Sequence, residues 1–348
     1  MRNVRLVIVG LVAGILAPLS ASAHEVYILP HQTIQNALAA PGFSLWSVVM
    51  ENLGEFTLWG FIAALVVFCV FFISVSRLAE RLLDPFLAKL PPYAPAVSRV
   101  TVGVSFIAAA YFGALFGPEL PLRDTFGSYA PGVSFLLVII GLLITLGIYT
   151  RTAALIAALL FGAEAAAHGT YMFTYANYAG ELVVLGILGA HRAAFHDEES
   201  EDLRAPAWLR ALKERLAPYA FPILRVAFGT SLIFASLYAK VIHNGLALAV
   251  TARYPDVVRF FGFEPHFLVL GAALVEILIG LFFVLGIEIR FTSLFLLFWL
   301  SLSLWYFGEV VWPHLILIGI PVAFIFYGYD RYSLEGYFFK RGGREPVL

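Results

Sequence analysis

Two stretches decide how this chain is read: LVEILIGLFFVLGIEIR at residues 274–290 and FLLVIIGLLITLGIYTR at residues 135–151. With Gly141 set over Gly280 they run in step, Leu146-Gly147-Ile148 on Leu285-Gly286-Ile287 and Arg151 on Arg290. Each has the length and apolarity of a bilayer-crossing helix, closed by a short turn and an arginine. The copies part where the first has Leu137 and the second has Glu276, a carboxyl group in mid-span.

Composition agrees with that reading. The 348 residues are 61% hydrophobic and 13% charged, with a mean hydropathy of +0.88, whereas soluble domains carry about 25% charged residues. The chain is therefore expected to be a multi-pass membrane protein, with the lipid bilayer as its first partner. A net charge of −1 gives no reason to expect nucleic acid. The single cysteine, Cys69, excludes an internal disulfide, CxxC redox chemistry and a cysteine-based zinc or iron–sulfur site within one chain. No P-loop, GxGxxG, HExxH or Ser–His–Asp signature is present, which argues against a nucleotide-driven pump.

Residues 1–23 read as a signal peptide: Arg2 and Arg5, an apolar run over 6–17, then Ala21-Ser22-Ala23 as an A-x-A cleavage site. Cleavage makes His24 the mature amino terminus on the periplasmic side. Residues 24–97 hold a periplasmic segment, an interfacial amphipathic stretch at 43–56 and an extra span at about 56–75. Eight further spans are expected near 100–116, 133–148, 152–167, 178–195, 222–242, 266–287, 291–307 and 313–329. Nearly all lysines and arginines fall on one side of this arrangement, from Arg77, Arg81 and Lys89 through Arg151, Arg192, Arg210 and Arg290 to Arg344. The other side holds only Arg123, Arg253 and Arg259, with Lys240 near the outer end of its span. The positive-inside rule then predicts an inner-membrane protein with a periplasmic amino terminus and a cytoplasmic carboxyl terminus.

The duplication is wider than the opening pair. Arg99-Val100 with Gly103 recurs as Arg225-Val226 with Gly229 at an offset of 126, while LGI-x-x-R recurs at 139, so the second copy has an outer loop longer by 13 residues. Residues 181–186, ELVVLG, align on 314–319, HLILIG, at 133. The expected fold class is an all-α integral membrane protein with about nine transmembrane helices after the signal peptide. It comprises two tandem four-helix repeats in parallel orientation, at 98–196 and 220–335, plus the extra amino-terminal span. The linker, 197–219, has an acidic run at 197–202 and then a basic amphipathic helix at 203–216 suited to the inner leaflet; a cytoplasmic tail covers 336–348.

The second repeat resembles the DoxX family of four-span membrane proteins over residues 222–335. The resemblance rests on Leu224-Arg225-Val226 with Gly229, Lys240 near that helix's end, Glu276, Gly286 and Arg290. It ends on Tyr329-Asp330-Arg331-Tyr332-Ser333-Leu334, close to the family's G-x-x-R-Y-S-L-D ending. The first repeat resembles a degenerate copy, lacking the ending and carrying Ala114 where the second has Lys240. The resemblance implies a helical bundle associated with respiratory or oxidative-stress complexes, some relatives being subunits of thiosulfate:quinone oxidoreductase. It implies no agreed catalytic set.

Ionisable side chains within spans are costly and so mark candidate sites. Glu164 and His168 lie four apart on an alanine-rich helix, where they can relay protons, hold a metal or simply satisfy each other. Glu276 in mid-span needs a proton or a partner. Lys240 either joins it or snorkels to the interface. These four are the candidate catalytic groups. His243, His314, Glu309 and Glu181 are the candidate cofactor-binding groups, all expected in the outer half of the membrane around a polar cavity between the repeats, with Glu276 at its floor. Such donors and acids suit a quinone headgroup, or a metal held by converging His168, His243, His314 and Glu309. His24, as a free amino terminus, and His31 form a separate candidate copper site. The leading expectation is a redox-associated membrane subunit handling a quinone with a periplasmic redox protein or another membrane subunit as partner. The alternatives are a transporter of a small solute or metal ion, including copper, and a non-catalytic anchor or assembly factor.

Overall fold

The computed structural model describes residue 29 and residues 31–190, 207–308 and 311–339. Apart from one isolated bridge between Ala114 and Pro121, the elements among these residues are helical. The expected signal peptide, His24, Glu309 and the acidic run of the linker lie outside them, as does the side chain of His31. Among the described residues seven helical runs are long and apolar enough to cross a membrane, and the run from Thr150 to Leu188 contains two helices; Trp312–Tyr327 is apolar but shorter. The chain is thus an all-α, multi-pass membrane protein in architecture.

Short helices α1 (His31–Ala39) and α2 (Leu45–Glu51) precede the long α3 (Phe56–Leu87). The first repeat comprises α4 (Ala94–Phe112), the short α5 (Leu122–Phe126), α6 (Ala130–Leu146), α7 (Thr150–His168) and α8 (Ala176–Leu188). After α9 (Ala207–Leu216) the second repeat comprises α10 (Ala220–Ser236), then α11 (Gly245–Arg253) and α12 (Pro255–Phe261). It finishes with α13 (Pro265–Leu285), α14 (Ile289–Phe307) and α15 (Val311–Tyr327). The longer second loop is where α11 and α12 fold, and α11 packs on α1.

Side-chain size dictates how the repeats are built. Helices in lipid associate through packing, not hydrophobic expulsion, so small residues mark the closest crossings. In the first repeat a Cβ on Gly141 would stand 2.6 Å from the Gly103 carbonyl oxygen; in the second, a Cβ on Gly229 would stand 2.5 Å from that of Gly280. These crossings, α4 on α6 and α10 on α13, are the same contact made twice. Both α6 and α13 end on a left-handed glycine, Gly147 (φ 72°) and Gly286 (φ 70°), followed by a left-handed Tyr149 or Glu288 that opens the next helix. The arginines repeat as well: Arg99 Nη1 donates to the Thr145 carbonyl at 3.2 Å, and Arg225 Nη1 to the equivalent Val284 carbonyl at 2.7 Å.

The two repeats meet through equivalent helices. α8 packs on α10 and α15 on α4, with Gly180 against Ala227 and Gly319 against Thr101. Those two contacts are interchanged by an offset of 126 in α4/α10 and 139 in α8/α15. The helix ends agree: Gly189 N donates to Leu185 O and Gly328 N to Phe324 O, again 139 apart. The fourth helix is therefore in register at 139, and the alignment of 181–186 on 314–319 at 133 is corrected. Matching apolar letters cannot fix the phase of a uniformly apolar helix; contact glycines and caps can. In the corrected register Glu181 is the counterpart of Ile320, and His314 of Tyr175.

Phe112 stacks on Trp312 at one end of the bundle, and Arg225 bonds the Tyr332 carbonyl at the other. The repeats hence point the same way, with a Lys240 end and an Arg290 end. α3 lies along the second repeat, through Phe61 on Phe267 and Phe68 on Phe295. It runs well past the expected end of the first span because its charged last turns are themselves packed: Arg77 meets Glu288 at 3.2 Å and Glu80 meets Arg290 at 3.0 Å. The closing arginine of LGI-x-x-R is accordingly buried in the second repeat rather than spread among headgroups. Within the described residues the linker's amphipathic helix covers Ala207–Leu216, with Trp208 and Leu212 exposed, and residues 203–206 of the expected helix lie outside them.

Candidate functional sites

The expected site residues fall at several places with different surroundings. The first is built by α10 and α13. Beyond Ser236, α10 widens into a π turn, Leu237–Ile242, whereas its counterpart α4 stops on the left-handed Gly113. π turns insert a residue into a helix and recur at functional positions. This one carries Lys240 inward, where Nζ meets Glu276 Oε2 at 2.8 Å, the two side chains being 6% and 26% exposed. Lys240 therefore does not snorkel; with a carboxylate in reach, pairing answers the desolvation of both charges. At 126 and 139 residues earlier the first repeat has Ala114 and Leu137, both buried and apolar. The pair is present whole in one repeat and absent whole from the other.

Beside this pair lies an aromatic and carboxylate seam between the repeats. The Tyr238 ring packs 4.6 Å from His243 and 4.8 Å from Tyr171, which belongs to the first repeat. Tyr171 Oη donates to Glu119 Oε1 at 2.8 Å, and Tyr175 Oη donates to the same oxygen. Glu119, Tyr171, Tyr175 and Tyr238 escaped the sequence reading, because polar loop residues and tyrosines at span ends look like interfacial anchors. The signal was the carboxyl group of Glu119 enclosed between Pro118 and Pro121 in a tight connection.

Glu164 and His168 form a third place, within the first repeat. His168 Nε2 lies 3.1 Å from Glu164 Oε2, which also accepts from Thr125 Oγ1 at 2.8 Å. The pair is thus anchored locally by α5, and Glu164 is fully buried. Glu181 is buried in the middle of α8, and His314 is buried near the start of α15 beside Trp312. Among the described residues His168, His243 and His314 do not gather into a ligand set. The three acids that do approach within 4.8 Å of one another, ligand atom to ligand atom, are Glu80, Glu288 and Glu335 at the Arg290 end.

That acidic cluster is interleaved with cations. Arg77 Nε donates to Glu288, Arg290 Nη1 to Glu80, and Glu335 Oε2 accepts the Ile289 amide at 3.0 Å. Arg225 adds an ion pair to Asp330 at 3.3 Å. Glu288 and Asp330 stand outside the spans. Burial, then the charge of Glu335, lifts the Glu288 carboxyl to about 7. At Asp330 burial outweighs Arg225 and raises the carboxyl above its usual range. The whole assembly knits the D-R-Y-S-L ending to LGI-x-x-R: the Glu335 amide donates to the Gly286 carbonyl at 2.9 Å, and a Cβ on Gly286 would meet Ser333 at 2.4 Å.

These features define the class: a helical membrane protein of two pseudo-equivalent four-helix units, whose scaffold is duplicated and whose polar sites are not. Compared with protein-family models, curated proteins and solved structures, the chain matches none.

Proposed function

We propose that this protein is a DoxX-like inner-membrane subunit that binds a quinone headgroup at the Lys240 end, on the periplasmic side, in partnership with a redox protein. The observation that carries this reading is the Lys240–Glu276 pair. It joins a buried donor, carried inward by a π turn, to a part-buried acid on α13, and it is present in one repeat only, with Tyr238 and His243 beside it. A quinone carbonyl needs a hydrogen-bond donor and, on reduction, a proton; the ammonium supplies the first and the Glu276 carboxyl, still partly accessible, can exchange the second. The rings of Tyr171 and Tyr238 offer apolar faces to a flat headgroup. Electrons come from the partner, since one cysteine provides no dithiol.

The test is purification in mild detergent followed by quinone extraction, and by titration with a short-chain ubiquinone read through tyrosine and tryptophan fluorescence. Wild type is expected to retain or bind quinone. Lys240→Met and Glu276→Gln are expected to weaken binding at least tenfold, and unchanged binding in both would defeat the proposal.

A further inference from the structure

Glu181 stands apart from every group used above. Its side chain is 0% exposed in the core of the first repeat. The hydroxyl of Ser98 on α4 faces it closely enough to interact, but the approach falls outside hydrogen-bond geometry for both carboxylate oxygens among the described residues. A carboxylate buried in hydrocarbon without a cation is so costly that it takes up a proton or is not tolerated. Arg99, next to Ser98 in the chain, donates to the Thr145 carbonyl, and among the described residues no ion pair joins it to Glu181.

Three observations set this group apart from bundle glue. First, in the register fixed by the caps, Ser98 and Glu181 correspond to Leu224 and Ile320, both 0% exposed. The second repeat builds the same helix contact with two aliphatic side chains, so the scaffold does not require the polar pair. Second, Glu181 ends a row at helical spacing, Thr174, Asn177, Tyr178, Glu181, whose second-repeat counterparts are Pro313, Ile316, Leu317 and Ile320. Third, that row leads toward the Lys240 end, where Tyr178 meets further polar groups. Tyr178 Oη lies 2.6 Å from Ser105 Oγ, the Tyr178 and Tyr175 rings are 6.3 Å apart, and Tyr175 donates to Glu119.

We infer that Glu181 is a proton-binding site in the membrane interior, loaded from the Lys240 end along a route that starts at Glu119 in the α4–α5 connection and passes Tyr175 and then Tyr178 on α8. The step is protonation of a carboxylate to a carboxylic acid, with the proton drawn from water at that end. The site stands whether or not a quinone binds at Lys240 and Glu276. Of the helices packed on α8, α4 presents Ser98 and Ser105, and α10 presents Ser231 to Asn177 at 3.3 Å; the acidic, basic and histidine side chains of α4, α10 and α7 are Arg99, bonded to a carbonyl, Arg225, bonded to carbonyls and to Asp330, and on α7 Arg151 with the Glu164–His168 pair.

The experiment uses the full chain in proteoliposomes. Dicyclohexylcarbodiimide, an apolar reagent that attacks protonated carboxyl groups, is expected to label Glu181, detected by peptide mass spectrometry. The labelling should fall as pH rises, and a water-soluble carbodiimide should not produce it. Infrared spectra should show a protonated-carboxyl band that Glu181→Gln removes while thermal stability is retained. Tyr178→Phe should slow hydrogen–deuterium exchange of that band severalfold. Absence of Glu181 labelling, or a carboxyl band unchanged in Glu181→Gln, would overturn the assignment. So would exchange in Tyr178→Phe as fast as in wild type, which would refute the route. Should Glu181→Gln fail to fold, the paired Ser98→Leu, Glu181→Ile variant copies the second repeat and serves in its place.

Discussion

At the scale of single residues, the informative positions are those where two equivalent places hold different chemistry. Lys240 and Glu276 share one charge pair, and breaking it from either side leaves the other charge stranded in a low-dielectric interior, at a cost of about 3–5 kcal/mol. Lys240→Ala and Glu276→Leu are each expected to lower thermal stability in detergent. The double variant, which reproduces Ala114 and Leu137, is expected to recover most of the loss, since buried pairs replaced by fitted apolar groups are often neutral. Additive losses in the double variant would show that the pair is not coupled. Glu288 gives a pH dependence of known sign. Its folded carboxyl titrates at about 7 against 4.5 unperturbed, so the folded state binds the extra proton. That contribution is complete below about 4.5 and disappears as pH rises through about 7. Melting temperature should therefore fall between pH 5 and pH 8, and Glu288→Gln should flatten the slope; a slope identical to wild type counts against this assignment.

At the scale of helices, glycine does two jobs that a hydropathy profile does not separate. Gly229 and Gly280 let α10 and α13 touch backbone to backbone, whereas nothing lies within 4 Å of a Cβ built on Gly162 in α7. Gly229→Ala is expected to destabilise by about 1–3 kcal/mol through overpacking. Gly162→Ala should be neutral or stabilising by up to about 1 kcal/mol, since it gains helix propensity and meets no neighbour. Thermal melts of the two variants side by side decide it, and equal effects would mean that the crossings are not as close as described. The π turn is the other helix-scale feature. Where α4 ends on Gly113, α10 continues for another turn, and that extension is what brings Lys240 within reach of Glu276.

At the scale of the molecule, both repeats point the same way, and the positive-inside rule turns that into a sidedness. Phe260 is exposed at the Lys240 end and Trp208 on α9 at the other. In a Cys69→Ser background, Phe260→Cys should react with an impermeant maleimide in intact cells, and Trp208→Cys only after the membrane is opened. The reverse pattern would invert the proposed topology and move the quinone site to the cytoplasmic face.

Much of this was legible in the residues themselves. Composition demanded lipid, the LGI-x-x-R echo exposed the duplication, and Glu276 opposite Leu137 marked the asymmetry, because hydrophobic period, left-handed glycines and buried charges are local consequences of local sequence. Tertiary structure decided the partnerships. It joined Lys240 to Glu276, closed Thr125 over Glu164 and His168, and set Tyr171 against Tyr238 across the seam. It also gathered Glu80, Glu288 and Glu335 from three distant segments and moved the fourth helix from an offset of 133 to 139. The reason is physical: a uniformly apolar helix carries little information about its own phase, and its rotation is fixed only when glycines, caps and polar groups meet their counterparts on other helices. The stretch at 274–290 alone establishes a span with an acid in its middle, and only the folded bundle shows that a lysine from a widened turn at the end of α10 answers it.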